Sequence, residues 1–332
     1  MDFRPSALQR ELGAATRELL DELCPPEVVR AAWEKPADDR VWRGLAGLGL
    51  PGALAPESSG GLDLAITDVL PALVETGRAA VPGPVVETAL VAVPLLAAVG
   101  GHDGLLGAIA TGEASVTAGR VAEPLPWPGA SHALLLDPDG GTAVLLERSA
   151  LRAEPLDAVD RSRPLVSVCP PAGAALVASG ELVAAAALRG ALGTAAQLLG
   201  LARRQLDLTV EYVATRHQFG VPVGSFQAVK HHLADALLAL RFAEPAVLRA
   251  GLTVDSATAT RDVAMAKALA SDAAELVSRT AIQCHGAIGY TDEYDLHLYA
   301  KRTWALAAAW GTADDHRERF GDELRLPGRR TS

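Results

Sequence analysis

Between residues 182 and 202 the chain carries one charged side chain, Arg189, among leucines, alanines and glycines. A helix that is apolar on every side must bury every side, so this stretch needs either neighbouring helices or a membrane around it. Its richness in Ala and the interruption by Arg189 favour the centre of a helical bundle. The helical pattern predicts one long helix over 181–215, two more over 225–252 and 256–285, and a shorter one beyond Leu298. Ser225 and Ser256 are the expected N-caps and Gly286 the expected C-cap. Residues 178–325 are therefore expected to form a C-terminal four-helix bundle.

The N-terminal part reads as helical as well. Leu8, Leu12, Leu19, Leu20 and Leu23 recur at helical spacing and stop before Pro25-Pro26. A short helix fits 38–48, with Trp42, Leu45 and Leu48 on related faces, and the Gly- and Pro-rich stretch 49–61 punctuates it. Helical periodicity returns over 65–78 and 85–99, where Pro71 and Pro94 are expected to kink or shorten the helices. Residues 1–113 form a predicted N-terminal helical domain. The middle, 114–177, changes character: Ala133-Leu134-Leu135-Leu136 and Thr142-Ala143-Val144-Leu145-Leu146 flank a Gly-rich turn, the pattern of a hairpin. Another strand fits 165–168. This is a reduced β domain, too short for a full barrel, in a mostly α protein.

Ala and Leu, both strong helix formers, supply most apolar positions. A net charge of −10 argues against a nucleic-acid surface. An anionic cofactor would have to be met by a few placed cations or by helix N-termini. Cys24, Cys169 and Cys284 lie far apart without CxxC spacing, so neither a disulfide framework nor a zinc site is expected, and a reducing cytoplasm is the natural compartment. The opening Met1-Asp2-Phe3-Arg4-Pro5 has no apolar run, so no signal peptide and no membrane association are expected.

Two constellations carry chemistry. In the first, a long helix bearing Glu211-Tyr212 leads to Arg216-His217-Gln218-Phe219-Gly220, then to Phe226-Gln227 at the start of the next helix. Arginine offers a planar fork of donors suited to a pyrophosphate, and Phe219 offers a face for an adenine ring. Gln227 would lie near the positive end of its helix. Taken alone, the turn fits equally a helix–helix connection with a solvated arginine and a packing phenylalanine. The second constellation is Gln283-Cys284-His285-Gly286-Ala287-Ile288-Gly289-Tyr290, followed by Leu296-His297-Leu298-Tyr299 and Lys301-Arg302. Its glycines let a ligand approach the backbone closely, although glycines alone also fit a Schellman-type cap. His285 and His297 are expected to be fixed by packing.

Together these strings resemble the acyl-CoA dehydrogenase family. In that family a helix ending in Tyr-x-x-x-Arg-x-x-Phe-Gly leads to a Phe-Gln pair, and a Gln-x-x-Gly-Gly-x-Gly-Tyr segment lines the ADP moiety of FAD. The resemblance extends to Trp42, Leu45, Leu48-Gly49-Leu50 and Pro56 with Gly60-Gly61, and it spans both ends of the chain. It implies FAD as cofactor and an acyl-CoA thioester as substrate. It also implies a cofactor-binding set of Arg216, His217, Gln218, Phe219, Gln227, Gln283, Gly286, Ala287 and Gly289, with Ala287 standing where the family has a second glycine.

The resemblance breaks at the catalytic base. The family's Tyr-Glu-Gly-Thr string corresponds to Ala309-Trp310-Gly311-Thr312, which puts Trp310 at the base position, and an indole accepts no proton. The other position used in the family, on the first bundle helix, falls at Gly190. The middle domain offers Ala122-Glu123-Pro124 and Trp127, without the Gly-Ser-Asp and Trp-x-Thr that hold the flavin ring. The chain thus resembles the short subunit of actinobacterial hetero-oligomeric acyl-CoA dehydrogenases. That implies a dimer or tetramer in which it contributes the ADP side of a partner's FAD site. The alternatives are a self-sufficient homo-oligomer with a displaced base, and a scaffold that has lost flavin.

Overall fold

The computed structural model describes residues 4–35, 39–121, 123–171 and 173–324; Met1, Asp38 and Ala122 lie outside them. The N-terminal region folds as α1 (Ala7–Leu23), α2 (Pro26–Ala31), α3 (Asp39–Gly47), α4 (Ile66–Arg78), α5 (Val93–Val99) and α6 (Asp103–Ala110). A capping box starts α1: the Gln9 amide N–H donates to Ser6 Oγ at 3.1 Å, and Ser6 N–H donates to Gln9 Oε1 at 3.0 Å. Helix α4 continues through Pro71. Around Pro94 the outcome is different, because residues 87–92 form a π-helical turn that runs into α5. Proline has no N–H for the carbonyl four residues back and its ring crowds it, so the backbone widens there.

Seven strands follow: β1 (Val116–Arg120), β2 (Leu125–Pro126), β3 (His132–Asp137), β4 (Thr142–Glu147), β5 (Ala153–Leu156), β6 (Leu165–Val168) and β7 (Leu176–Ser179). They make two open sheets, ordered β1-β3-β4-β7 and β2-β6-β5, with β1 and β3 parallel and the other pairs antiparallel. The hairpin is β3–β4, and the strand expected at 165–168 is β6. Strands β1, β2, β5 and β7 escape a reading of the sequence because they span two to five residues. They are also broken by Gly119, Pro126 and Pro155.

The C-terminal region holds α7 (Glu181–Thr215), a two-residue-per-strand hairpin of β8 (His217–Gln218) and β9 (Val221–Pro222), then α8 (Gln227–Thr253), α9 (Ala259–His285), α10 (Leu296–Ala308) and α11 (Ala313–Leu324). Helix α9 packs against α7, α8, α10 and α11, while α4 lays the N-terminal region on α7. Helix α7 is long and apolar enough to cross a membrane, and 67% of its apolar window is buried within the fold.

Two expected caps are corrected. Ser225 Oγ donates to the Pro222 carbonyl at 2.7 Å, closing a turn, and Phe226 occupies the N-cap of α8. Ser256 Oγ likewise donates to the Thr253 carbonyl at 2.8 Å, and α9 begins three residues later, at Ala259. Each hydroxyl closes its own turn, and Ser256 Oγ also accepts from Thr258 N–H at 3.2 Å, ahead of the helix start. Gly286 does terminate α9, with φ +66°. The final short helix is in fact two. Trp310 and Gly311 adopt φ of +59° and +99°, breaking the chain before Thr312 caps α11 reciprocally with Asp315.

Candidate cofactor-binding site

Helix α7 ends at Thr215, and the Arg216 carbonyl accepts from Val223 N–H at 2.7 Å across the β8–β9 hairpin. Phe219 and Gly220 form its tip, with φ of +54° and +84°. Both central residues left-handed is the geometry of a tight hairpin turn, and a bulky residue adopts it only at a cost. The strained residue is also bare, since Phe219 is 92% exposed. Phe226 props its edge, with ring centroids 6.2 Å apart and planes at 80°. Arg216, His217, Gln218 and Gln227 are all exposed. Among the described residues the Arg216 guanidinium forms no ion pair. Gln227 opens α8, as its place in the sequence implies, and its Nε2 lies 3.3 Å from His231 Nε2.

At the end of α9, Gly286 donates its N–H to the Ile282 and Gln283 carbonyls, and residues 286–290 make one 3₁₀ turn. Gln283, Gly286 and Ala287 are exposed, so the Ala287 methyl group meets solvent rather than crowding the turn. Gly289 is buried: a Cβ there would lie 2.9 Å from His285 Cβ and 3.1 Å from the Ile282 carbonyl oxygen. His285 stacks on Tyr212, with centroids 4.2 Å apart, and Tyr212 Oη donates to the His285 carbonyl at 3.5 Å. Since Arg216 N–H donates to the Tyr212 carbonyl at 2.8 Å, one tyrosine ties the α7 end to the α9 end. Tyr212 and His285 are thus the supporting pair, and the Tyr-x-x-x-Arg spacing was the only sequence signal for it.

Trp310 is buried, and its indole lies against Gly190, the other expected base position. The turn holding it is clamped from beneath. The fully buried Lys267 donates to the Ala307 and Gly311 carbonyls at 2.9 and 3.1 Å and to Ser271 Oγ at 3.1 Å. Burial pulls the Lys267 ammonium down to about 7. His316 Nε2 donates to the Trp310 carbonyl at 3.0 Å, which leaves its buried Nδ1 without a partner among the described residues. Burial and then the nearby Lys267 push the His316 imidazole down to about 4. Neither Lys267 nor His316 carries a motif that would single it out in sequence.

The middle region fastens to the bundle through buried charge. Arg302 pairs with Asp160, donates to Ser162 Oγ and to the Val81 carbonyl at 2.9 Å each, and covers the Trp127 ring at 5.3 Å. Glu123 pairs with Arg120 at 2.9 Å. The buried carboxylates Glu75, Glu87, Asp160 and Asp262 each face an arginine: Arg78, Arg163, Arg302, and Arg249 with Arg261. His297 sits edge-on to Trp33, with centroids 5.1 Å apart.

Residues 6–103 match the acyl-CoA dehydrogenase N-terminal domain, and residues 180–324 match the acyl-CoA dehydrogenase C-terminal domain. The chain is 34% identical over 328 residues to acyl-CoA dehydrogenase IpdE2 of Mycolicibacterium smegmatis, spanning 96% of this chain and 98% of that protein. Its fold is similar to a chain of the ChsE4-ChsE5 complex from Mycobacterium tuberculosis, with TM-score 0.86 and 25% identity over 98% of this chain and 99% of the other. It is also similar in fold to a variant of the steroid ACAD Tcur3481-Tcur3483, with TM-score 0.85 and 24% identity over 95% of this chain and 96% of that one.

Proposed function

The chain belongs to the acyl-CoA dehydrogenase family, and from that premise we propose that it is the half-site subunit of a two-component acyl-CoA dehydrogenase. It holds the ADP end of an FAD whose flavin ring and catalytic base belong to a partner subunit of the same family. FAD, when bound, supplies the acceptor for the hydride that leaves the acyl β-carbon.

The observation that carries this reading is the exposed, uncompensated Arg216 beside the bare, strained Phe219, where the ends of α7 and α9 meet. A charged fork next to an aromatic face fits a pyrophosphate and an adenine. With FAD bound, Arg216 would donate to the phosphate oxygens, Phe219 would cover the adenine, and Gln227 would offer its amide at the positive end of α8. His217 and Gln218 hold the hairpin that aims Arg216. Gln283, Gly286 and Ala287, all exposed, would present the α9 turn to the nucleotide, while Gly289 lets that turn pack on His285 and Ile282. On the catalytic side this chain has little to offer. Trp310 can donate a hydrogen bond but cannot accept a proton, Gly190 has no side chain, and the buried carboxylates Glu75, Glu87, Asp160 and Asp262 each lie beside an arginine.

The ChsE4-ChsE5 likeness supports a paired assembly. The test is to purify the chain alone and with a full-length acyl-CoA dehydrogenase from its gene neighbourhood, then measure flavin absorbance and turnover. Flavin and activity that appear only in the mixture support the half-site. A stoichiometric flavin in the isolated chain, bleached by an acyl-CoA, would favour a self-sufficient homo-oligomer instead.

A further inference from the structure

We propose that His285 is a proton-sensitive positioning residue: as a neutral ring it holds the α9 turn against the end of α7, and a proton on its buried Nε2 frees both and loosens the ligand they present. That this ligand is the ADP end of FAD rests on the half-site reading. The hold itself rests on contacts within this chain.

His285 is 5% exposed, and its ring packs with two others. Tyr212 of α7 stacks on it with centroids 4.2 Å apart and planes at 23°, and Tyr294 leans on it at 5.0 Å and 43°. Three segments therefore meet at one imidazole: the end of α7, the end of α9 and the 291–295 segment that leads to α10. The 3₁₀ turn over 286–290 closes against it too, because a Cβ on Gly289 would lie 2.9 Å from His285 Cβ. Movement of this ring is thus felt in both parts of the site. Through Tyr212 it reaches Arg216, whose N–H donates to the Tyr212 carbonyl at 2.8 Å. Through the turn it reaches the exposed Gly286 and Ala287.

The hydrogen bonding of the ring fixes its state. Nδ1 lies 2.8 Å from the Ala281 carbonyl, which can only accept, so Nδ1 carries the hydrogen. Nε2 then holds a lone pair, and it is buried with no hydrogen-bond partner among the described residues. A proton there makes a buried cation whose new N–H has no acceptor. The titratable groups that face the ring are the two phenols, while Glu211, Asp295 and Arg204 bear on Tyr294 and not on the imidazole. Burial accordingly holds the imidazole below its ordinary range. Once swung out to water the ring ionises near about 6.5, so acid favours the released turn.

The test reads the hold without cofactor and with it. In the isolated chain, amide hydrogen exchange gives protection factors for Arg216 and Gly286, whose N–H groups both donate to backbone carbonyls. Protection at both is expected to fall roughly tenfold between about pH 7.5 and 5.5 in the native chain. It is expected to hold steady in His285→Phe, which keeps a ring on Tyr212 and cannot titrate. In the assembly, the FAD dissociation constant is expected to rise about three- to tenfold over the same range, and to stay flat or fall in His285→Phe. A fall has a source in the exposed His217 and His231, which gain charge in acid and attract an anion. Should His285→Phe not fold, His285→Gln takes its place. Coincident pH profiles for the native protein and the variant, in protection or in FAD retention, would overturn the proposal. Arg216→Ala separates it from the half-site reading. If that variant keeps its FAD while protection still follows His285, the hold stands and the ADP site does not. If it loses FAD while His285→Phe leaves both profiles unchanged, the ADP site stands and His285 is packing alone.

Discussion

Arg216 stands at the end of α7 with its guanidinium exposed and no acid beside it among the described residues, which is an unusual investment in an acidic chain. One charge-assisted contact to a phosphate is typically worth about 1.5–3 kcal/mol. Arg216→Ala is accordingly expected to weaken FAD retention by the assembly roughly 10- to 100-fold, with folding unchanged. Dialysis at low FAD followed by absorbance checks this, and full flavin in the variant would remove Arg216 from the phosphate site. A second residue-scale prediction concerns His316. In the folded chain its imidazole gains a proton only near pH 4, whereas an unfolded imidazole does so near about 6.5. Between those values the unfolded state binds the extra proton, so stability falls as the pH drops through this window, by up to roughly 3 kcal/mol. Denaturant titrations of the native chain and of His316→Gln, which can still donate to the Trp310 carbonyl, isolate the effect. Identical pH slopes between 6.5 and 4 would assign the acid sensitivity elsewhere.

At the scale of elements, the crossing of α4 on α7 depends on two glycines that face each other's backbones. A Cβ on Gly77 would collide with the Gln197 carbonyl, and one on Gly200 with the Val74 carbonyl and the Arg78 amide nitrogen. Backbone atoms cannot rotate aside as a side chain can, so the helices would have to separate. Gly200→Ala is expected to cost about 2–3 kcal/mol, although alanine is the better helix former. Gly104→Ala in α6, where a Cβ would meet open space, serves as the control and should stabilise by about 0.5–1 kcal/mol. Equal effects of the two substitutions in chemical denaturation would show that the close crossing is not what Gly200 provides. The same scale explains the hairpin after α7. Two residues per strand cannot be independently stable, so β8 and β9 persist because Val223 and Arg216 bond across their base and Phe226 packs on Phe219.

The whole molecule is three regions locked by shared buried contacts, with Arg302 of the bundle bonding at once to the middle segment and to the N-terminal region. Leu237, Leu238 and Phe242, midway along α8, are 41%, 55% and 65% exposed. A monomer of this kind is expected to be short of a partner. Expressed alone, the chain should carry little or no flavin and should lack acyl-CoA dehydrogenase activity, while co-expression with its partner should yield a yellow, active complex. Size-exclusion chromatography with absorbance near the flavin bands distinguishes the two, and a colourless but stable complex would point to a scaffold.

Much of this was written in local order. The apolar run around Arg189 demanded a buried helix, and α7 begins and ends where its periodicity does, because a helix of ten turns is decided by patterning along its own length. Gly286 stopped α9 for an equally local reason, the freedom of glycine to turn left-handed. The serines at 225 and 256 misled, since a hydroxyl can close a turn or cap a helix and only the surrounding backbone chooses between them. The contacts that matter most at the site are not written in the chain, although the residues that make them are. Trp310 lies in the notch of Gly190 and His285 lies on Tyr212, although long stretches of sequence separate each pair. Motif spacing named residues worth inspecting, but which side chains touch is set by how helices cross and how tightly they pack. That packing is a property of the folded body and of no single segment.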